Sequence, residues 1–450
     1  MFARLATAPS MRDPRFWAAR RLAPALWGLF PIAPLAAQGD WAAAQRWVVR
    51  QVTPNRVVPF PEATRRGLVL SYDLSPGKSP HGFHRSATYD DALAALVFLV
   101  MRDPDRAAFT LHALARLVRP DGSLWFTYNT ANEWPSEGDH ESALVRAGTV
   151  SWVGYAFAFY LAHVPPRSGA ADARERALFL ETTRRLGGYV VSLQVRDSTG
   201  PRDGLVRLGY GTINLRYDTR TKTVVEQYVD EPAPGISTEN NIAAWFFLRL
   251  LATVSGDTRW SDAADRIGHG LMASWSDSLG QFTEGFASDG ARDPARALDC
   301  ASLGVLFLLS RGETAQANHT LAAIERSYRS RGGGANGYRP YADRPIYEDS
   351  TVGRFYFPRD PTKQWRELPL VWAEGSLQVA LAALRAGRAA RARQVVRGVR
   401  PLQDRSGGVR YATVDLPFLM TDAPSVAGTA WLVLVSRALA GDSLAQAIWR

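Results

Sequence analysis

The sequence predicts an all-α fold: six apolar helices alternate with six amphipathic ones in a toroid, with small β-hairpins in the long loops on one face. Three observations predict it. Six segments open on small or acidic residues and then run apolar on nearly every face, as buried helices do. Six others carry a single apolar stripe, as surface helices do. The links between them alternate short and long. A repeated architecture also suits a chain of 450 residues, long for one ordinary core.

The first 37 residues read as a signal peptide. Arg20 and Arg21 precede the apolar run Leu22–Ala33, and small residues follow at Ala36 and Ala37. That run is too short to span a bilayer, so secretion or a periplasmic address is expected, without stable membrane insertion. Cutting after Ala37 removes five arginines and Asp13 and lowers the net charge from +10 to +6. The rest of the positive charge is scattered with no Lys/Arg block, so no nucleic-acid partner is expected. Cys300 is the single cysteine, which excludes internal disulfides and a cysteine-based zinc site.

Residues 38–450 read as one domain. The inner helices begin near Thr88, Gly148, Ser237, Leu298, Trp372 and Ser425, with bodies at Leu93–Met101, Trp152–His163, Ile242–Val254, Ser302–Arg311, Ser376–Ala386 and Thr429–Ala440. The outer helices cover roughly 40–52, 105–118, 171–195, 258–275, 313–330 and 388–398. Inner-to-outer links are tight, as at Arg102-Asp103-Pro104 and Ser255-Gly256-Asp257. Outer-to-inner links are long, so in a toroid they emerge on one face, where every inner helix also has its N-terminus. Function concentrates in such loops, and converging helix N-termini present free amides. Gly204–Leu215 and Thr223–Val229 alternate as a hairpin does, and the loop 331–371 is rich in Gly, Pro and Tyr, as in a lid.

Ser237-Thr238-Glu239-Asn240-Asn241-Ile242, Leu298-Asp299-Cys300-Ala301-Ser302 and Val371-Trp372-Ala373-Glu374-Gly375 resemble motifs of bacterial proteins related to glucoamylases and cellobiose phosphorylases. With the six hairpins, they make the chain resemble the six-hairpin glycosidase superfamily, the (α/α)6 toroid, over roughly 40–450. The resemblance implies carbohydrate chemistry, often by an inverting pair of carboxylic acids. The partner expected is an oligosaccharide or polysaccharide; the protein is expected to be a monomer, with no cofactor and no metal.

Inverting hydrolysis needs one carboxylic acid to protonate the leaving oxygen and a second carboxylate to activate water. Glu239 is the candidate acid. Its position at a helix start lowers a carboxyl pKa, so burial or a second carboxylate has to raise it. Glu374 is the candidate base, with Gly375 beside it leaving room for substrate; Arg344 or Arg366 could instead engage it in an ion pair. Asp90 competes for the base role, and Asp91 reads as a first-turn cap. Asn240, Asn241 and Asp299 are candidates for holding sugar hydroxyls. Trp125, Trp134, Trp365 and Trp372 offer flat faces to sugar C–H groups, and His84 and Tyr89 precede or open the first inner helix. Trp152, Trp245 and Trp431 read as core. Two alternatives stay open: a polysaccharide lyase of the same fold, in which Tyr89 or His84 takes a proton beside a uronic carboxylate, and a non-catalytic glycan-binding toroid.

Overall fold

A computed structural model describes residues 41–53, 65–74, 84–130, 143–197 and 200–450. The predicted signal peptide and Trp134 lie outside the described residues. Fourteen helices are present among the described residues, with strands confined to short pairs and one long hairpin.

Six of the helices are apolar on every face. They are α2 (Thr88–Val100), α4 (Ala147–His163), α6 (Thr238–Ser255), α8 (Leu298–Ser310), α11 (Ala373–Arg385) and α13 (Val426–Leu439). All are almost wholly buried, because each meets protein on every side. α2 packs on α4, α4 on α6, α6 on α8, α8 on α11, α11 on α13, and α13 on α2 again, so the contacts close a circuit.

The amphipathic helices are α1 (Trp41–Gln51), α3 (Pro104–Leu117), α5 (Ala170–Ser192), α7 (Thr258–Ala273), α9 (Thr314–Ser327) and α12 (Ala389–Val399). Each of the last five packs on the apolar helix just before it in the chain. α1 has no predecessor and packs instead on α13, which buries Ala44, Trp47 and Val48. The chain's first described helix therefore completes its last hairpin. Two short helices remain: α10 (Ser350–Tyr356), in the predicted lid segment, and α14 (Ser443–Ala447), on α13.

Tight links have local causes. Asp103 caps α3 through Arg106 N with Pro104 at the first helical position. Gly256 ends α6 in the left-handed conformation.

The residue before each apolar helix is extended and paired with a neighbouring strand. Ala87 pairs with Thr127, Arg146 with Gly209, Ser237 with Gly285, Ala297 with Tyr341, Trp372 with Ala412, and Ser425 with Val409. These pairs pin all six helix starts. The long hairpin joins Gly209–Asp218 to Thr223–Ala233; its first strand starts and ends later than the predicted Gly204–Leu215, and its second runs past the predicted Val229. The segment 331–371 holds a second hairpin, Arg329–Gly332 with Ala335–Tyr338, and α10.

Candidate active site

The second residue of the six apolar helices is, in order, Tyr89, Gly148, Glu239, Asp299, Glu374 and Ala427. All six line one cavity of about 1270 Å³. The cause is helical phase. Successive residues turn by about 100°, so once the helix starts are aligned, the second residue of each faces the same space.

The fourth residue is turned about 200° from the second and faces away. There the chain uses polar side chains as clamps. Asp91 Oδ1 accepts the Val69 amide at 2.7 Å, Asn241 Oδ1 the Val206 amide at 2.7 Å, Ser376 Oγ the Tyr338 amide at 2.9 Å, and Thr429 Oγ1 the Val409 amide at 2.8 Å. Each ties an incoming loop to the helix it feeds. Asn241, expected to hold a sugar, instead lies fully buried away from the cavity, and its Nδ2 donates to the Val206 and Ser237 carbonyls. Asn240, one residue earlier, lines the cavity.

Carboxylates crowd this space. Glu239 opens onto the cavity but is ringed by protein, and burial followed by the nearby Asp299 charge pushes its pKa up to about 8. Desolvation thus outweighs the helix N-terminus. The Trp152 indole N–H faces it without meeting hydrogen-bond geometry. Glu374 is buried, which raises its pKa to about 8, with help from the charges of Asp90, Asp299 and Glu239. Glu374 Oε1 accepts from the Tyr89 hydroxyl at 2.5 Å and from Gln378 Nε2 at 3.3 Å, both favouring its ionised form. The Trp431 indole donates in turn to the Tyr89 oxygen at 2.9 Å, so that core tryptophan fixes the hydroxyl's direction. Asp90, the third residue of α2, is raised to about 7 by burial against hydrogen bonds from Ser71 and the Ala427 amide. Asp299 is raised by burial and accepts the Cys300 amide at 2.7 Å.

Glu284 also lines the cavity, from the loop ahead of α8, and sequence reasoning missed it. Burial raises it to about 7 against the pull of Arg344, whose Nη1 lies 2.6 Å away. Arg344 therefore pairs with Glu284 and Glu348, not with Glu374. The signal was present: Glu284-Gly285 between Phe282 and Phe286 repeats the carboxylate–glycine step of Glu374-Gly375.

Several expected ligands stand elsewhere. Trp125 stacks on Tyr128 at 5.8 Å under Arg119, whereas Phe126, on the opposite side of the chain, lines the cavity. His84 and Ser86 turn away while Arg85 and Ala87 face in, again by alternation; the His84 carbonyl accepts from Thr130. Trp365 is buried behind Tyr341, 5.6 Å from its ring, and Tyr341 is the one exposed to the cavity. Trp372 does line it. The room beside Gly375 belongs to Trp372, whose ring lies 2.2 Å from where a β-carbon would sit, and not to a substrate.

Beneath the cavity, Trp449 is 1% exposed. Its ring stacks on Trp152 at 4.4 Å and on Phe246 at 4.7 Å, and its amide donates to the Tyr155 hydroxyl at 2.8 Å. Among the described residues no His/Cys/Asp/Glu group has metal-binding geometry, and no helix is long and apolar enough to cross a membrane.

Solved structures similar to this chain include several glycosidases. A GH63 mannosylglycerate hydrolase from Thermus thermophilus, in complex with Tris and D-glycerate, aligns over 88% of this chain and 99% of its own at a TM-score of 0.57 and 14% identity. A glycosidase in complex with glucose aligns over 89% and 98% at 0.55 and 12%. A D-mannose isomerase aligns over 88% and 97% at 0.53 and 11%. At these identities the likeness is one of fold. No protein-family model matches the sequence, and no curated protein does.

Proposed function

We propose that this chain is an exported glycoside hydrolase built as an (α/α)6 toroid, with Glu239 as general acid and Glu374 as general base. The closed circuit of six apolar helices, each backed by an amphipathic one, supports the toroid. The glycosidase neighbours agree with the reading at the level of fold. The observation that carries the chemistry is the ring of second-position residues, which turns Tyr89, Glu239, Asp299 and Glu374 into one cavity.

Two carboxyl groups near pKa 8 in one cavity share protons, since each charge raises the cost of the next. Tyr89 and Gln378 donate to Glu374 and not to Glu239, which favours the charge on Glu374 and the proton on Glu239. Glu239 gives that proton to the glycosidic oxygen as the bond from the anomeric carbon breaks. A water attacks that carbon and passes its proton to Glu374. The ring ends with one proton moved from Glu239 to Glu374, and solvent exchange resets it. Tyr89 positions Glu374. Its own pKa is raised well above the ordinary tyrosine value by burial and by Glu374, which makes it a poor base and argues against the lyase. Seven carboxylates line the cavity against Arg85 and Arg146, a poor setting for a polyuronate.

The test is a panel of neutral and uronic-acid glycosides followed by mass and ultraviolet absorbance. Products that gain one water, with kcat at least about a hundredfold lower in Glu239→Gln and Glu374→Gln, are expected. Unsaturated ends absorbing in the ultraviolet would overturn the hydrolase. Full activity in Glu239→Gln would discard the assigned acid.

A further inference from the structure

Resting on that reading, we infer that the leaving group is apolar: the substrate is an alkyl or aryl glycoside rather than a sugar chain. The floor of the cavity is polar, but one wall of its mouth is not. Leu416, Pro417, Phe418, Leu419 and Met420 are five consecutive apolar residues, and all line the cavity, as do Val224 and Val225 from the long hairpin.

This wall has almost no hydrogen bonds to offer. The Leu416 amide donates to the Met420 carbonyl at 2.8 Å, and the Met420 amide returns to the Leu416 carbonyl at 2.9 Å, which also accepts from Leu419. Pro417 has no N–H, and its carbonyl is taken by the Tyr347 hydroxyl at 3.1 Å. A second sugar seated on these five residues would lose its water without side-chain partners from them, the mouth's polar side chains lying outside the run at Glu226, Asp415 and Thr421. An alkyl or aryl group loses nothing polar.

Phe418 sits at the tip of this clasp. It is 47% exposed, the most of any exposed large apolar residue among those described. Its φ is +66°, a conformation that bulky side chains avoid. Tyr347, buried and stacked on Tyr356 at 4.8 Å, anchors the turn that imposes it. The turn thus spends conformational energy to hold a bare aromatic ring over the cavity mouth. Asp415 and Glu226 at the same mouth oppose an anionic leaving group.

Methyl, octyl and phenyl glycosides of glucose and mannose, in both anomers, are compared with the matching disaccharides, octyl compounds below micelle formation. The expected kcat/KM for octyl or phenyl exceeds that for methyl by about tenfold or more. Phe418→Ser erases most of that ratio, and Phe418→Tyr, which keeps the ring, restores it. Equal rates for methyl and octyl, or a preferred disaccharide, would overturn the inference. Calorimetric binding of the octyl glycoside to the wild-type protein separates the two claims. Binding that Phe418→Ser weakens, without turnover of any glycoside, keeps the apolar site and removes the hydrolase. Turnover of a methyl glycoside without tighter octyl binding keeps the hydrolase and removes the apolar site.

Discussion

Glu239 and Glu374 differ less in burial than in who donates to them. Glu374 receives Tyr89 and Gln378, while Glu239 faces an indole N–H that falls short of a bond. Two measurements follow. The proposed mechanism uses the Glu239 proton and the Glu374 carboxylate, so kcat/KM is expected to peak near pH 8 and to fall on either side, by about tenfold per unit well above it. A profile flat to pH 10 would remove Glu239 as the acid. Stability also depends on pH. A carboxyl with a folded pKa near 8 and an unfolded one near 4.5 holds its proton longer when folded, so stability falls between those values as pH rises. Glu239→Gln removes that loss. Its Tm is therefore expected to exceed that of the wild type at pH 9 and to approach it at pH 5, as measured by thermal unfolding.

At the scale of the element, position within the first helical turn decides what each residue does. Glu239 and Asn241 are two residues apart in one motif, yet one faces the cavity and the other clamps Val206. The twelve main helices were legible in the sequence, since full apolarity and single stripes are properties of composition and period. Glu239, Glu374, Asp90 and Asp299 were legible as carboxylates at helix starts. What was not legible was which side of the chain each residue presents, which depends on where each short strand delivers it; Asn241, Trp125, His84 and Trp365, expected at the site, do not line the cavity. Glu284 lay in a loop, where no period marks it. Gly375 gives this scale its test. A β-carbon there would meet the Trp372 ring at 2.2 Å and Leu298 at 2.9 Å. Gly375→Ala is expected to cost about 1–3 kcal/mol and to lower kcat by displacing Glu374's neighbours. Denaturant unfolding and kinetics together check it, and an unaltered protein would show that Trp372 yields freely.

For the whole molecule, the key junction is α1 against α13. Trp47, 1% exposed, is its largest buried side chain. Trp47→Ala is expected to cost about 3–5 kcal/mol and to lower the denaturant midpoint of the entire circuit in one transition. A separate early transition, leaving the remaining helices folded, would mean that the circuit does not depend on this hairpin.

The same junction governs how the chain reaches its working form. α1 leaves the ribosome before every other helix here, and the partner that covers it, α13, comes nearly four hundred residues later. Trp449, under the cavity floor, comes later still. Until then α1 shows its tryptophan to water or to a chaperone, and the carboxylates have no finished floor. Closure over so long a loop is slow. The cavity therefore gains its complete ring of helix starts only once α13 has arrived and the circuit has closed on α2 and α1.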